Sequence, residues 1–286
     1  MQKIANNNRY IALADSMQGG RSENQDYCMG KVINDDILVV TVCDGMGGLL
    51  GGSTASFMAA NIIIDNLVRS LSAIPQLPER SIEDVLRQSI LKANSEVYDR
   101  SYSDSSVKGM GTTTVTVVFT REAAYVAHVG DSRCYRLRGG KKSFRTNDHS
   151  RVFEFVKIGI MTEEQARTAP GNNIITRAIG TRRKVEVEIE KIGYNPSDRF
   201  ILCSDGVWNV QPEQELINVF TTHEDTEKEV NHIMVTTDNI GKVSGHDYDN
   251  FTVIIVDTKQ RSKYHEPFLP SMITNISKWI KNKFKK

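Results

Sequence analysis

Short apolar runs rich in β-branched residues punctuate the chain. Ile37–Cys43, Ala123–Val129, Phe200–Cys203 and Phe251–Val256 are each four to seven residues long and bounded by polar or glycine-rich stretches, which predicts buried strands. Tyr10 to Ala14, a stretch at about 27–33, the Thr/Val-rich Gly111 to Thr120, and Cys134 to Arg138 read as further strands. From Lys184 to Lys191 the alternation is strict, Val185, Val187 and Ile189 against Glu186, Glu188 and Glu190, as in a strand with one wet face. Helical spacing appears from Ser53 to Leu71, where Ala55, Met58, Ala59, Ile62 and Ile63 begin a broad apolar stripe. Pro75 and Pro78 then break the pattern. Ser81-Ile82-Glu83-Asp84 resembles a capping box ahead of a second helix carrying Leu86, Ile90, Ala93 and Val97. Shorter helices are expected from Asp148 to about Ile158, from Thr162, from Pro212 to Phe220 and from Asp225 to about Thr237. Residues 1–8 are polar and are expected to fray. Gly130-Asp131-Ser132-Arg133 reads as the turn between two strands, and Gly139-Gly140 as the closure of a hairpin. No regular strand-helix-strand repeat is present, so antiparallel sheets with helices packed outside are predicted.

Two strands end in the same way. Val39-Val40-Thr41-Val42-Cys43 stops at Asp44-Gly45-Met46-Gly47-Gly48, and Phe200-Ile201-Leu202-Cys203 stops at Ser204-Asp205-Gly206. A carboxylate at the mouth of a buried strand is costly unless it is paired or binds a cation. Glycine beside it permits close backbone approach. Asp26, Asp131 and Asp249 also stand at strand ends or in loops. Should these acids converge, each pair of like charges at ~4 Å repels by about 4 kcal/mol at an effective dielectric near 20, and a cation must sit among them. An all-oxygen donor set suits Mg²⁺ or Mn²⁺. Six histidines and no Cys-x-x-Cys argue against zinc. Arg21, in a polar loop near Asp26, is the candidate for gripping phosphate through a bidentate fork. His128 and His149 read as structural histidines.

The bulk properties narrow the function further. The 286 residues carry a net charge of +1, which gives no electrostatic case for nucleic acid. Cys28, Cys43, Cys134 and Cys203 show no paired spacing and read as reduced thiols of a cytoplasmic protein. Cys43 is expected on the strand face opposite Asp44. No run has the length of a signal peptide or a membrane span.

Taken in order, Arg21-x-x-Asn24-Gln25-Asp26, Asp44-Gly45-Met46-Gly47-Gly48, Gly111-Thr112-Thr113, Gly130-Asp131-Ser132-Arg133, Asp148-His149-Ser150, Ile175-Thr176-Arg177-Ala178-Ile179-Gly180, Ser204-Asp205-Gly206-Val207-Trp208 and Asp249-Asn250-Phe251-Thr252 resemble the motif set of the metal-dependent serine/threonine protein phosphatases of type 2C, bacterial branch. The resemblance covers about residues 9–257. It implies an α+β fold, a four-layer α-β-β-α sandwich of two antiparallel sheets flanked by helices. It also implies two Mn²⁺ or Mg²⁺ ions and a weaker third. Carried over, Asp44 bridges two metals, the Gly45 carbonyl serves one, and Asp205 and Asp249 hold the other. Asp131 with Asp205 forms the weaker site, Asp26 orients metal-activated water, and Arg21 binds phosphate. Met46 stands where animal members carry a histidine, which leaves the leaving-group acid unassigned.

The expected activity is hydrolysis of phosphoserine and phosphothreonine in proteins, by a monomer that opposes a serine/threonine kinase. The competing expectation is a catalytically silent fold-mate serving as a scaffold or binding module, and retention of all the aspartates speaks against it. Residues 1–257 are expected to form the catalytic domain, with a flap at about 151–173. Residues 258–286 form a basic amphipathic tail. Its Trp279, Ile280 and Phe284 face, ringed by lysines, suits packing on the domain or, through 268–286, contact with an anionic membrane surface or a partner.

Overall fold

The structure is a computed structural model that describes residues 1–47, 51–73, 79–245 and 247–264. Twelve strands in two antiparallel sheets form its centre among the described residues. The first sheet runs β1 (Gln2–Asn6), β2 (Tyr10–Met17), β12 (Phe251–Thr258), β11 (Arg199–Cys203), β8 (Arg133–Arg138) and β9 (Lys141–Arg145). The second runs β10 (Glu188–Ile192), β7 (Ala124–Val129), β6 (Thr114–Phe119), β4 (Ile37–Met46) and β3 (Asp26–Asn34), with the two-residue β5 (Gly111–Thr112) paired to the end of β4.

Alternation along the strands builds three apolar layers. On β4, Leu38, Val40 and Val42 face the other sheet, where they meet Phe200, Leu202, Ile254 and Val256. Val39 and Cys43 point the opposite way, against α1 (Gly51–Ala73) and α2 (Glu79–Ser103). On the far side, Ile201, Cys203, Val253 and Ile255 pack against α5 (Asp205–Trp208), α6 (Glu213–Val219) and α7 (Thr226–Ser244). The result is the expected four-layer α-β-β-α sandwich. Each fully buried Val, Ile or Leu adds about 1.5–3 kcal/mol of transfer free energy to it. Two short helices, α3 (Arg151–Lys157) and α4 (Glu163–Thr168), form a separate segment between β9 and β10, and Thr162 closes a capping box on α4.

Several local expectations change. Residues 2–6 do not fray: they add an edge strand antiparallel to β2, with Ala5 buried. Backbone pairing secures this strand, and composition does not record backbone pairing. Ser81 caps nothing, because α2 begins at Glu79. Gly130 to Arg133 is not a hairpin turn: β7 and β8 belong to different sheets, and the loop crosses from one layer to the other. Gly139-Gly140 does close the β8–β9 hairpin. The alternating run from Lys184 pairs only from Glu188 onward, since β7 offers register partners for Glu188–Ile192 alone. Helix α7 continues past Thr237 to Ser244. The backbone stays fastened beyond Asp257, with Ser262 N–H donating to Tyr194 O and Tyr264 N–H to Glu122 O. Leu49-Leu50, Pro75, Pro78 and the amphipathic segment 268–286 lie outside the described residues. No helix among the described residues is long and apolar enough to cross a membrane.

Candidate active site

The strand parity that buries Val40 and Val42 sends Asp44, two residues further, to the open end of the space between the sheets. Asp26 is the register partner of Asp44 on β3, so it points into the same space. From the opposite sheet, Ser204 Oγ donates to Asp26 Oδ2 at 2.6 Å, and Ser16 Oγ lies 2.7 Å from Thr252 Oγ1. The crossing loop between β7 and β8 brings Asp131, and the starts of α5 and β12 bring Asp205 and Asp249. Asp44, Asp131, Asp205 and Asp249 together line a cavity of about 490 Å³, with Gly45, Met46, Glu23, Thr113 and Arg21 among its other walls. Among the described residues, Arg21 is the single lysine or arginine in that lining. Asp26 sits behind the wall, and its Oδ1 is buried with no hydrogen-bond partner.

The acids perturb one another. Burial pushes Asp26 up to about 7, reinforced by Asp205 and Asp249 and opposed by the Ser204 hydroxyl. Burial also pushes Asp205 up to about 6, with Asp249 adding to the effect. Asp44 and Asp131 rise well above the ordinary carboxylate range, first from burial and then from the neighbouring aspartates. A group of carboxylates that holds protons this tightly has more negative charge than its surroundings can balance. The orphaned Asp26 oxygen and the all-oxygen donor set both fit divalent cations of the Mg²⁺ or Mn²⁺ type.

The cavity's walls are held by the residues around the acids. Thr113 N–H donates to Asp44 O at 2.8 Å, and its hydroxyl accepts from Asp44 N–H and pairs with Ser132 Oγ at 2.6 Å. Trp208 Nε1–H donates to Asp131 O, and the Trp208 ring stacks 3.4 Å beneath the Arg133 guanidinium. Arg133 in turn grips Asp148 through two hydrogen bonds of 2.8 and 2.6 Å. Asn250 staples the Arg21 loop: its amide donates to Gln18 O and Glu23 O, and its oxygen accepts from Gln25 N–H. Sequence reasoning assigns Thr113, Ser204 and Asn250 no role. Ser204 and Asn250 each adjoin a candidate acid, Asp205 and Asp249, whereas Thr113 adjoins none and only the fold brings it to Asp44.

Arg21 is at the cavity rim but is not free. Its Nε and Nη2 each donate to Asp249 at 3.1 Å. Cys43 is buried on the face away from Asp44, as expected. A second group, His128, His149 and Glu188, has ligand atoms within 4.8 Å of one another. Arg177 Nη1 stands 3.1 Å from His149 Nε2, so a guanidinium already occupies the place a metal would need. Gly130 N–H donates to His149 Nδ1, and His128 Nε2 donates to Asn147 O, which makes both histidines struts of the loop that carries Asp131.

The comparisons agree with this geometry. The family model described as Protein phosphatase 2C matches residues 15–242. The chain belongs to the protein phosphatase 2C family. The serine/threonine phosphatase stp of Listeria monocytogenes is 33% identical over 239 residues, spanning 84% of this chain and 88% of that one. The serine/threonine phosphatase of S. agalactiae superposes with a TM-score of 0.75 at 30% identity, covering 87% of this chain and 100% of its own. Stp1 from Staphylococcus aureus gives 0.74 at 28% identity over 86% and 94% of the two chains. This chain is a type 2C serine/threonine protein phosphatase, a hydrolase that acts on phosphoproteins with divalent metal. Nothing in the site favours the silent fold-mate, since every aspartate of the motif set is present.

One glycine sets the spacing between two of the phosphatase's acids. A Cβ on Gly206 would lie 2.0 Å from Asn250 O and 2.9 Å from its carbonyl carbon, both backbone atoms. Gly206→Ala must therefore push the start of α5 away from the start of β12, and with it Asp205 from Asp249. The expected result is a folded protein whose half-maximal activity needs at least ~10-fold more Mn²⁺. An unchanged Mn²⁺ titration curve would show that this contact does not set the site.

Proposed function

We propose that Asp44, the Gly45 carbonyl, Asp205 and Asp249 hold two divalent ions, and that Asp131 with Asp205 holds a weaker third. Asp26 orients the attacking water from behind Asp44, and Arg21 binds the substrate phosphate. The substrates are phosphoserine and phosphothreonine proteins, and the enzyme reverses the action of a cognate serine/threonine kinase as a cytoplasmic monomer. The catalytic unit is residues 1–257 with a flap at about 151–173. The tail 258–286 serves for packing or for peripheral contact.

The observation that carries this reading is the convergence of four aspartates on one cavity, each with its proton affinity raised or its carboxylate gripped by Arg21. Bound divalent ions supply Lewis acidity toward phosphate and lower the proton affinity of water in the cavity. The chain's own residues do the rest. The Ser204 hydroxyl on Oδ2 fixes the Asp26 carboxylate, and the unpartnered Oδ1 is left to accept a proton or a water hydrogen. Arg21, on a loop pinned by Asn250, presents a planar fork at the rim, and phosphate oxygens offer it the geometry that Asp249 offers now. No phosphoenzyme is expected, since the attacking group in this reading is a water and not a side chain.

Two readouts test the assignment. Titration calorimetry with Mn²⁺ is expected to give two tight sites and a weaker one, and Asp131→Ala removes the weak one alone. Arg21→Ala is expected to raise KM for a phosphoprotein about 10-fold, a charge-assisted hydrogen-bond loss, with kcat changed less. A kcat loss at constant KM would contradict the binding role.

A further inference from the structure

The segment that follows the cavity wall ends in an unbalanced positive surface. Asn173 and Ile175 line the cavity, and Ile179 pairs with Thr112 through two backbone hydrogen bonds. Thr181 then packs against Gly111, the register partner of the cavity residue Met46. The next three residues are Arg182, Arg183 and Lys184, all exposed. Their backbone is fixed: the buried Asn94 of α2 donates to the Arg182 and Arg183 carbonyls at 3.1 and 3.3 Å and accepts from Gly180 N–H. Lys108 is exposed on the adjoining loop, where the Gly109 carbonyl and Met110 lie against Gly47.

None of these four cations has a carboxylate partner among the described residues. Acids nearby in the chain are already engaged by other arginines, Glu186 by Arg177 at 3.0 Å and Asp104 by Arg100 at 2.6 Å. Arg183 instead rests over the Tyr98 ring, 5.6 Å from its centroid. Elsewhere the guanidinium groups of Arg133, Arg138, Arg145 and Arg199 are each matched to a carboxylate. These four exposed cations lie on the segment that runs on from the cavity wall and on the loop adjoining it.

We propose that Lys108, Arg182, Arg183 and Lys184 form a docking surface for an acidic stretch of the phosphoprotein substrate, a few residues away from the phosphorylated side chain. An extended peptide covers about 3.3–3.6 Å per residue, and Met46 of the cavity, Gly111 and Thr181 link the cavity wall to this surface. Exposed cations act mainly on encounter and selectivity and are screened by salt. This proposal rests on the phosphatase reading of the cavity and names the substrate class it prefers.

The test uses the full-length enzyme with Mn²⁺ and three peptides sharing one phosphothreonine core, flanked by Asp/Glu, by Ala or by Lys. At low salt, kcat/KM for the acidic peptide is expected to exceed that for the alanine peptide by about 5- to 20-fold, the scale of several exposed ion pairs acting together. The preference should collapse at about 0.5 M NaCl. Arg182→Glu/Arg183→Glu/Lys184→Glu is expected to invert it in favour of the lysine peptide. Fluorescence anisotropy of the unphosphorylated acidic peptide, which needs no turnover, should show the same loss of binding in that variant. Equal kcat/KM for the three peptides, or a ratio the triple variant leaves unmoved, overturns the proposal. If no peptide is turned over but acidic-peptide binding still depends on the three residues, the docking surface stands and the catalytic reading fails.

Discussion

Asp44→Ala is expected to reduce phosphate release by at least about 10³-fold while leaving a folded protein that is as stable without metal as the parent, or more so. Asp44 is the carboxylate on which Asp26, Asp205, Asp131 and Asp249 all act, so it sits at the centre of the charge cluster. Loss of residues that merely support metal ligands costs 10- to 100-fold in many sites, and a shared ligand costs roughly the product of two such effects or more. The stability expectation has the opposite sign for the same reason. Without a cation, Asp44 is a buried carboxyl beside other acids, and its removal relieves the cost of burial first and like-charge repulsion second. Added Mn²⁺ reverses the order. An ion at 100 times its dissociation constant stabilises the parent by about 2.7 kcal/mol, and the variant forfeits that gain. Thermal melts in EDTA and in Mn²⁺ read both signs. A variant that melts well below the parent in EDTA would mean that Asp44 supports the fold by some contact other than metal.

Asp148→Ala is expected to be among the most destabilising single changes in the chain, at about 3–5 kcal/mol. Asp148 and Arg133 are both buried and joined by two short hydrogen bonds. Removing the acid strands a guanidinium between Trp208 and the Tyr135 hydroxyl, where no other carboxylate among the described residues bonds it. Arg133 and Trp208 also fix the Asp131 loop, so the weak metal site proposed at Asp131 should loosen with the fold. The double change Arg133→Met/Asp148→Leu is expected to recover much of the stability, since an apolar pair of similar volume removes both buried charges. It should not recover the weak metal site. Denaturant melts separate the two cases: a double variant no more stable than Asp148→Ala would show that the pair is net stabilising.

The sequence already carried the two strand mouths at Asp44 and Asp205, because a period of two and a sudden acid are local features. The eight motifs carried the family. Convergence was not local. That Asp26 stands opposite Asp44 follows from the β3–β4 register, and that Ser204 reaches Asp26 follows from the stacking of two sheets. The Gly130–Arg133 crossing reads as a turn in the sequence because a short polar loop between strands looks the same whether the strands share a sheet or not. The Arg133–Asp148–Trp208 stack joins three motifs whose members are far apart in the chain, and no spacing rule connects them. Arg21 illustrates a different limit. Its place at the cavity rim was expected, whereas its fork on Asp249 depends on which anion is nearest.

The most direct measurement is phosphate release from a phosphothreonine peptide by the full-length protein in Mn²⁺, in Mg²⁺ and in EDTA, beside Asp44→Ala. The account predicts turnover with either metal, none in EDTA, and none above background in the variant under any condition. Turnover that persists in EDTA, or that survives in Asp44→Ala, would contradict it.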